Sequence, residues 1–221
     1  MSSDWKQVYL EEIAEVLTGY PFKGSSYLPA GKGIRVVRGD NVSEQFLRWG
    51  EKEKCWSSVD SELKRYKLDA GDILIGMDGS KVGKNFAVLS ESDGTCLLAQ
   101  RVARIRARND VSQKFLKYII CNSKFTSYIQ SVCTGTSIPH ISKKQIEQFQ
   151  LLLPSNSEQV IIADILSSLD DKIELNKQIC KSLEDIASTL FKSWFIDFDP
   201  VKAKAAGLAP EGLTSEIAKL F

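Results

Sequence analysis

The segment GSKVGKN at 79–85 is the first place in the chain where residue types and spacing point to chemistry. A phosphate-binding loop reads G-x-x-x-x-G-K-[ST], so that backbone amides wrap the phosphates and a hydroxyl holds Mg²⁺. Here the spacing is one residue short, and Asn85 stands where the hydroxyl belongs. A basic hairpin turn is the better reading. The overlapping MDGSK could supply half of a carboxylate–lysine nuclease set, but a two-metal site needs several convergent carboxylates, and no second element follows at a matching spacing. His140 is the only histidine of the chain, so base-plus-nucleophile catalysis would rest on it without a visible partner. Cys55, Cys96, Cys121, Cys133 and Cys180 form no CxxC and no ligand spacing with histidine. There is no G-x-G-x-x-G and no [DN]PP[YF] tetrad of adenine methyltransferases. The expectation is a protein that is not an enzyme, with no catalytic residue, metal or cofactor in this chain.

Recognition remains. Basic side chains sit in glycine-rich turns: Lys23 and Lys32 within 19–33, Arg35 and Arg38 around a strand, Lys81 and Lys84 within 79–85. Arg101 follows Gln100 in an apolar run, and Lys143 and Lys144 follow GTSIPHIS. Small residues beside Lys and Arg let backbone amides approach phosphates. Asn85, Gln100, Thr136, Ser137 and His140 have the hydrogen-bonding groups that read base edges in a groove. For any one of these residues, a solvated basic surface is an equal alternative. Residues 1–154 hold 22 Lys and Arg against 17 Asp and Glu, whereas residues 155–221 hold 7 against 11. The mildly basic first part fits anion binding and the acidic second part fits protein contacts.

The elements that position these residues are short at first. GIRVVRGDNV (33–42), GDILIGMDGS (71–80), NFAVLSES (85–92) and TCLLAQRVARIRA (95–107) are apolar or alternating runs broken by glycine, and read as strands. DWKQVYLEEIAEVLTG reads as a short strand or turn and a one- to two-turn helix ending at Gly19. Helices are expected over 110–123 and 124–135, then a loop at TSIPHIS, a short helix at KKQIEQF and a strand at QLLLP. The fold class is α+β, a mixed-sheet domain over 1–154 followed by a long helix.

That helix carries its own pattern. Ser155 and Glu158 form a capping-box signature. A 4-3 repeat then runs through Ile162, Leu166, Leu169, Ile173, Asn176, Cys180, Leu183, Ala187, Leu190 and Trp194, the spacing of a coiled-coil seam. Ile165, Ile179 and Ile186 add a flanking stripe, wide enough for further helices to join. Some 39 residues at ~1.5 Å each span roughly 58 Å, against a radius of gyration near ~15 Å for a domain of this size. The helix, 155–199, is expected to project and to find its partner in a second copy; 200–221 is a tail. The polar N-terminus and the lack of an apolar run of about 18 residues imply no membrane segment and, with unpaired cysteines, a cytoplasmic setting.

LLLPSNSEQVIIADILSSLDDKI and LFKSWFIDFDPVKAK resemble the central conserved region of type I restriction–modification specificity subunits. LEEIAEVLTGYPFKGSSY, LDAGDILIGMDGSKVGKNFAVL, LLAQRVARIRA and GTSIPHISKKQIEQFQLLLP are similar to the order of elements in their target-recognition domains. The resemblance implies a non-catalytic subunit that reads one half of a bipartite site in double-stranded DNA. It implies docking of methyltransferase subunits and, through the complex, of a restriction and translocase subunit. S-adenosylmethionine, ATP and Mg²⁺ would belong to those partners. Full-length relatives carry two recognition domains and two helices; this sequence shows one of each. A homodimer would restore the pair, and a half-subunit that binds methyltransferase without reading DNA is the alternative.

Overall fold

The computed structural model describes residues 5–108, 110–135, 138–208 and 212. It divides into two compact units, Met1–Leu166 and Ser167–Phe221. In the first, strand β1 (Lys6–Tyr9) leads into a single helical turn, α1 (Leu10–Ile13), and the chain extends again as β2 (Ala14–Thr18). The expected helix ending at Gly19 is thereby corrected. Ala14 and Val16 are buried with Glu15 exposed between them, so strand period overrides the helical reading of AEVLT.

The further strands are β3 (Ile34–Val37), β4 (Cys55–Trp56), β5 (Lys67–Leu68), β6 (Ile73–Gly76), β7 (Phe86–Val88), β8 (Cys96–Leu98), β9 (Val102–Ala107) and β10 (Gln150–Leu153). One sheet runs β2-β9-β6-β7, antiparallel throughout. A second runs β4-β3-β8-β5, with β3 and β8 parallel. β1 and β10 pair with each other. The run TCLLAQRVARIRA is thus not one strand: β8 and β9 belong to different sheets, joined by a tight turn at Ala99–Arg101. Gly19 lies against this turn so closely that a Cβ would fall 2.0 Å from the Ala99 carbonyl oxygen.

Helices α2 (Gln113–Ile120), α3 (Ser123–Val132) and α4 (Lys143–Glu147) share one core with the first sheet. Leu116, Ile120, Phe125, Ile129 and Ile146 meet Val16, Ile73, Ile75 and Ile105 there. Ser112 and Asn122 cap α2 and α3 with side-chain oxygens, as the helix-start chemistry requires. The opposite face of the sheet, Leu17, Leu74 and Val102, packs on Val37, Leu68 and Leu98 of the second sheet. A network of charges clamps the strand ends. Arg106 grips buried Asp72 with two bonds of 2.7 Å and reaches Asp69 at 2.8 Å, which raises the Arg106 pKa above its ordinary value.

The long helix α5 (Asn156–Phe191) starts where its capping box lies. The Ser155 amide donates to Glu158 (2.9 Å) and the Glu158 amide donates to Ser155 Oγ (3.4 Å). The Ser155 hydroxyl (2.7 Å) and amide, together with Trp5, donate to the Glu158 carboxylate and hold it below its usual range. Gln159 is buried, accepting from the Ser112 amide (3.0 Å) and donating to the Pro154 carbonyl (3.0 Å), and Ala163 is buried with it. The first turns of the helix thus belong to the first unit, which runs to Leu166. Over its 36 residues the helix is about 54 Å long at ~1.5 Å per residue.

In the second unit α-geometry gives way to a π-turn at Lys192–Ile196. Phe198, at φ +54°, ends the run, and Ser193 Oγ donates to Asp199 (2.8 Å). The tail expected from 200 then begins as helix α6 (Asp199–Ala205), with Pro200 in its first turn. Residues 209–211 and 213–221 of that tail lie outside the described residues. Among the described residues no helix is long and apolar enough to cross a membrane.

Candidate nucleic-acid interface

Loops from both sheets of the first unit meet around an open cleft of about 690 Å³. Its aromatic wall comes from the segment after Gly19. Phe22 packs at a tilt against Trp56 (4.7 Å between ring centres) and Tyr20 meets Phe22 edge-on (5.0 Å); Phe22, Gly24 and Tyr27 line the cleft. The turn after β3 contributes Arg38, Gly39 and Asp40; the turn between β8 and β9 contributes Gln100 and Arg101; Asp78, Lys54 and Ile138 complete the lining. Arg38 bonds Asp40 at 2.7 Å and lies over the Tyr27 ring at 5.5 Å. Burial pushes the Tyr27 phenol up, opposed by Arg38, so it remains a proton donor at neutral pH. Arg101 faces Asp78 at 3.4 Å.

Of the residues singled out from sequence, Arg38, Gln100 and Arg101 line this cleft. His140 is exposed beside it: its backbone bridges Asp78 and Thr134, and its ring nitrogen Nε2 lies 2.9 Å from Thr134 Oγ1. Lys23, Lys32, Lys84 and Lys144 are exposed. Lys81 reaches Glu44 at 3.1 Å, and Lys143 reaches Glu147 at 3.4 Å. Thr136 and Ser137 lie outside the described residues.

Two further residues of that set are engaged within the fold. Asn85 is 5% exposed, and its amide donates to the Lys81 and Gly76 carbonyls (2.8 and 3.2 Å). It shapes the 79–85 turn and presents nothing to a groove. Arg35 is tied into its own sheet by Glu53 (3.3 Å), the Asp93 carbonyl (3.1 Å) and the Trp49 ring (5.0 Å). Asp93 is held below its usual pKa: burial works the other way, but bonds from Trp49 and Ser90 outweigh it. Sequence reasoning missed Asp40, Lys54, Tyr27 and the cleft role of Asp78. The MDGS turn was visible, yet only as half of a metal site.

The long helix presents a different surface. Ile162 and Leu166 are half-buried in the first unit, as is Trp194 in the second. Leu169, Ile173, Leu183 and Leu190 are 50–59% exposed, and Asn176, Cys180 and Ala187 between them are exposed too. The flanking Ile165, Ile179 and Ile186 are 47–58% exposed. The apolar row from 169 to 190 therefore stays accessible within the single chain.

A loop-built cleft on one unit and an accessible apolar row along a capped helix are the two candidate interaction surfaces of this fold. The model of the type I restriction modification DNA specificity domain matches residues 2–185, and the chain belongs to that family. It is 31% identical to the type I restriction enzyme HindI specificity subunit of Haemophilus influenzae over 99% of this chain and 46% of that protein. It is 34% identical to the EcoAI specificity subunit of Escherichia coli over 84% of this chain and 30% of that one. The fold is shared with a type I S subunit from M. genitalium (TM-score 0.64, 15% identity, 92% of this chain and 49% of that one). It is also shared with the HsdS subunit from Thermoanaerobacter tengcongensis (TM-score 0.58, 20% identity, 81% and 40%). The chain spans less than half the length of these relatives.

Proposed function

We propose that this chain is the sequence-reading part of a type I restriction–modification complex. Its first unit binds one half of a bipartite site in double-stranded DNA. The observation that carries the reading is the cleft, where Arg38, Arg101, Gln100 and Lys54 converge from separate loops in a chain of the DNA specificity family. Donors and acceptors in one concavity suit base edges, and the exposed lysines on neighbouring turns suit phosphates. The cleft also favours DNA reading over a half-subunit that only binds methyltransferase. Chemistry would come from partners: methyltransferase subunits with S-adenosylmethionine, and a restriction subunit with ATP and Mg²⁺.

The helix supports assembly. An apolar seam needs a complementary seam, and an identical copy related by a two-fold axis is the commonest solution. Two copies paired antiparallel through 157–195 would offer two identical recognition units to a two-fold symmetric, gapped site. The seam length would act as a ruler for the gap. Equilibrium binding of the full chain to duplex DNA across a salt series, with sedimentation of the same samples, tests both parts. Affinity should fall steeply with salt, with a log–log slope of about −0.9 per phosphate contacted, and the mass should be that of two chains. Salt-independent binding contradicts the DNA role. A strictly single-chain mass at micromolar concentration, with and without methyltransferase, contradicts the dimer.

A further inference from the structure

Resting on that DNA-reading role, we infer that Arg101 and Asp78 act as one unit that reads a single G·C base pair in the major groove. Arg101 lies in the turn that carries the chain from one sheet to the other, and its φ of +72° is a rare conformation for a residue with a side chain. The turn is pinned from both sides: the Gln100 amide donates to the Tyr20 carbonyl (2.8 Å), and the Met77 amide donates to the Arg101 carbonyl (2.8 Å). The segment bearing Asp78 is pinned as firmly, with Gly79 donating to the Pro139 carbonyl (3.0 Å) and Ile141 donating to the Met77 carbonyl (2.9 Å). Residues held in such sparsely populated conformations cluster at binding sites.

The two side chains face each other at 3.4 Å, Arg101 at 66% exposure and Asp78 at 30%. By contrast, the Arg106–Asp72 contact holds its carboxylate at 3% exposure and serves the fold, whereas Arg101 and Asp78 both line the open cleft. A phosphate clamp is a poor alternative, because Asp78 and Asp40 both line the cleft and each sits beside its arginine. Carboxylates there repel a phosphate and neutralise the cations. Base edges ask for a different arrangement. Across a G·C pair the major groove shows two acceptors, N7 and O6 of guanine, followed by the N4 amino donor of cytosine. A guanidinium fork beside a carboxylate offers two donors followed by an acceptor, in complementary order.

The test is selection from a randomised duplex library by the intact chain, comparing wild type with Arg101→Gly and Asp78→Asn. Glycine adopts a φ of +72° without strain, so Arg101→Gly should keep its melting temperature. It should make one G·C position per half-site degenerate while the other positions persist. Affinity for the wild-type motif should fall roughly 10- to 100-fold, with little change for random duplex. Asp78→Asn should relax the same position and raise random-duplex affinity, steepening the salt slope by about one phosphate as Arg101 is released. Should the glycine variant lose its fold, Asp78→Asn carries the test alone. An unchanged motif in either folded variant overturns the inference. So does an Arg101→Gly variant that loses cognate and random affinity equally. If wild type itself enriches no sequence, the DNA-reading role falls, and the inference falls with it.

Discussion

The cleft and the seam are both accessible surfaces, and they are built in opposite ways. The cleft takes its side chains from separate turns brought together by two sheets, so no stretch of sequence contains it. The seam takes all of its residues from one helix at a fixed spacing. The cleft sets cations and carboxylates side by side against an aromatic wall; the seam is apolar with Asn176 near its middle. Specificity for a polar pattern needs donors and acceptors at particular points, which rigid loops supply. Association through a long seam needs only area and register, which a helix supplies.

If the contrast holds, substitutions should separate cleanly by region. The largest effect is expected from Asp72→Ala, which removes a buried carboxylate that accepts from the Asp69 amide and twice from Arg106, leaving the one-third-exposed Arg106 with Asp69 alone. It should cost the first unit about 3–4 kcal/mol through lost charge-assisted hydrogen bonds, read as a lower urea midpoint; a loss below about 1 kcal/mol would mean that the clamp is surface-like. Leu183→Glu places a charge on the seam. It should weaken self-association by roughly 100-fold or more, about 3 kcal/mol, in sedimentation, while the urea midpoint of the first unit stays put. An unchanged mass would show that the seam serves another partner.

Asn176→Leu is smaller and opposite in sign. A mid-seam amide opposes slipped registers at some cost in stability, so leucine should tighten association by about tenfold and admit additional oligomers. A single dimer of unchanged affinity would place Asn176 on the solvent side. The smallest effect distinguishes two thiols. Burial foremost, with Asp93 nearby, pushes the Cys96 thiol up to about 12, whereas Cys180 is exposed on the helix. At pH 8 a thiol reagent should label Cys180 readily in the separated chain and slowly in the paired seam, and Cys96 only on unfolding. Because the folded state keeps the Cys96 proton that the unfolded state loses near pH 9, this group favours folding below pH 9, and its contribution fades as pH rises towards 12. Rapid native labelling of Cys96 would contradict that burial.

The difference between the regions also explains what the sequence disclosed. The helix start at Ser155 and Glu158 and the accessible row from Leu169 to Leu190 were readable, because capping and a 4-3 repeat are local signals. The strands of GDILIG and the helices capped by Ser112 and Asn122 were readable for the same reason. Tertiary pairing hid the rest. Ala14–Thr18 is a strand because β9 lies beside it. The break inside TCLLAQRVARIRA is invisible because it is made by an arginine at positive φ, where glycine is the usual signal. Asn85 and Arg35 had the right chemistry, but burial and neighbouring partners put it to structural use. Asp40 and Asp78 were passed over because a search for cations discounts carboxylates, although base reading needs acceptors as much as donors.

The central claim, one reading unit doubled by a helical ruler, is tested most directly by mapping methylated sites in cells that carry this chain with a methyltransferase subunit. The account predicts a two-fold symmetric motif, its half-sites separated by a gap of fixed length. A non-palindromic motif, a variable gap or no modified motif would contradict it.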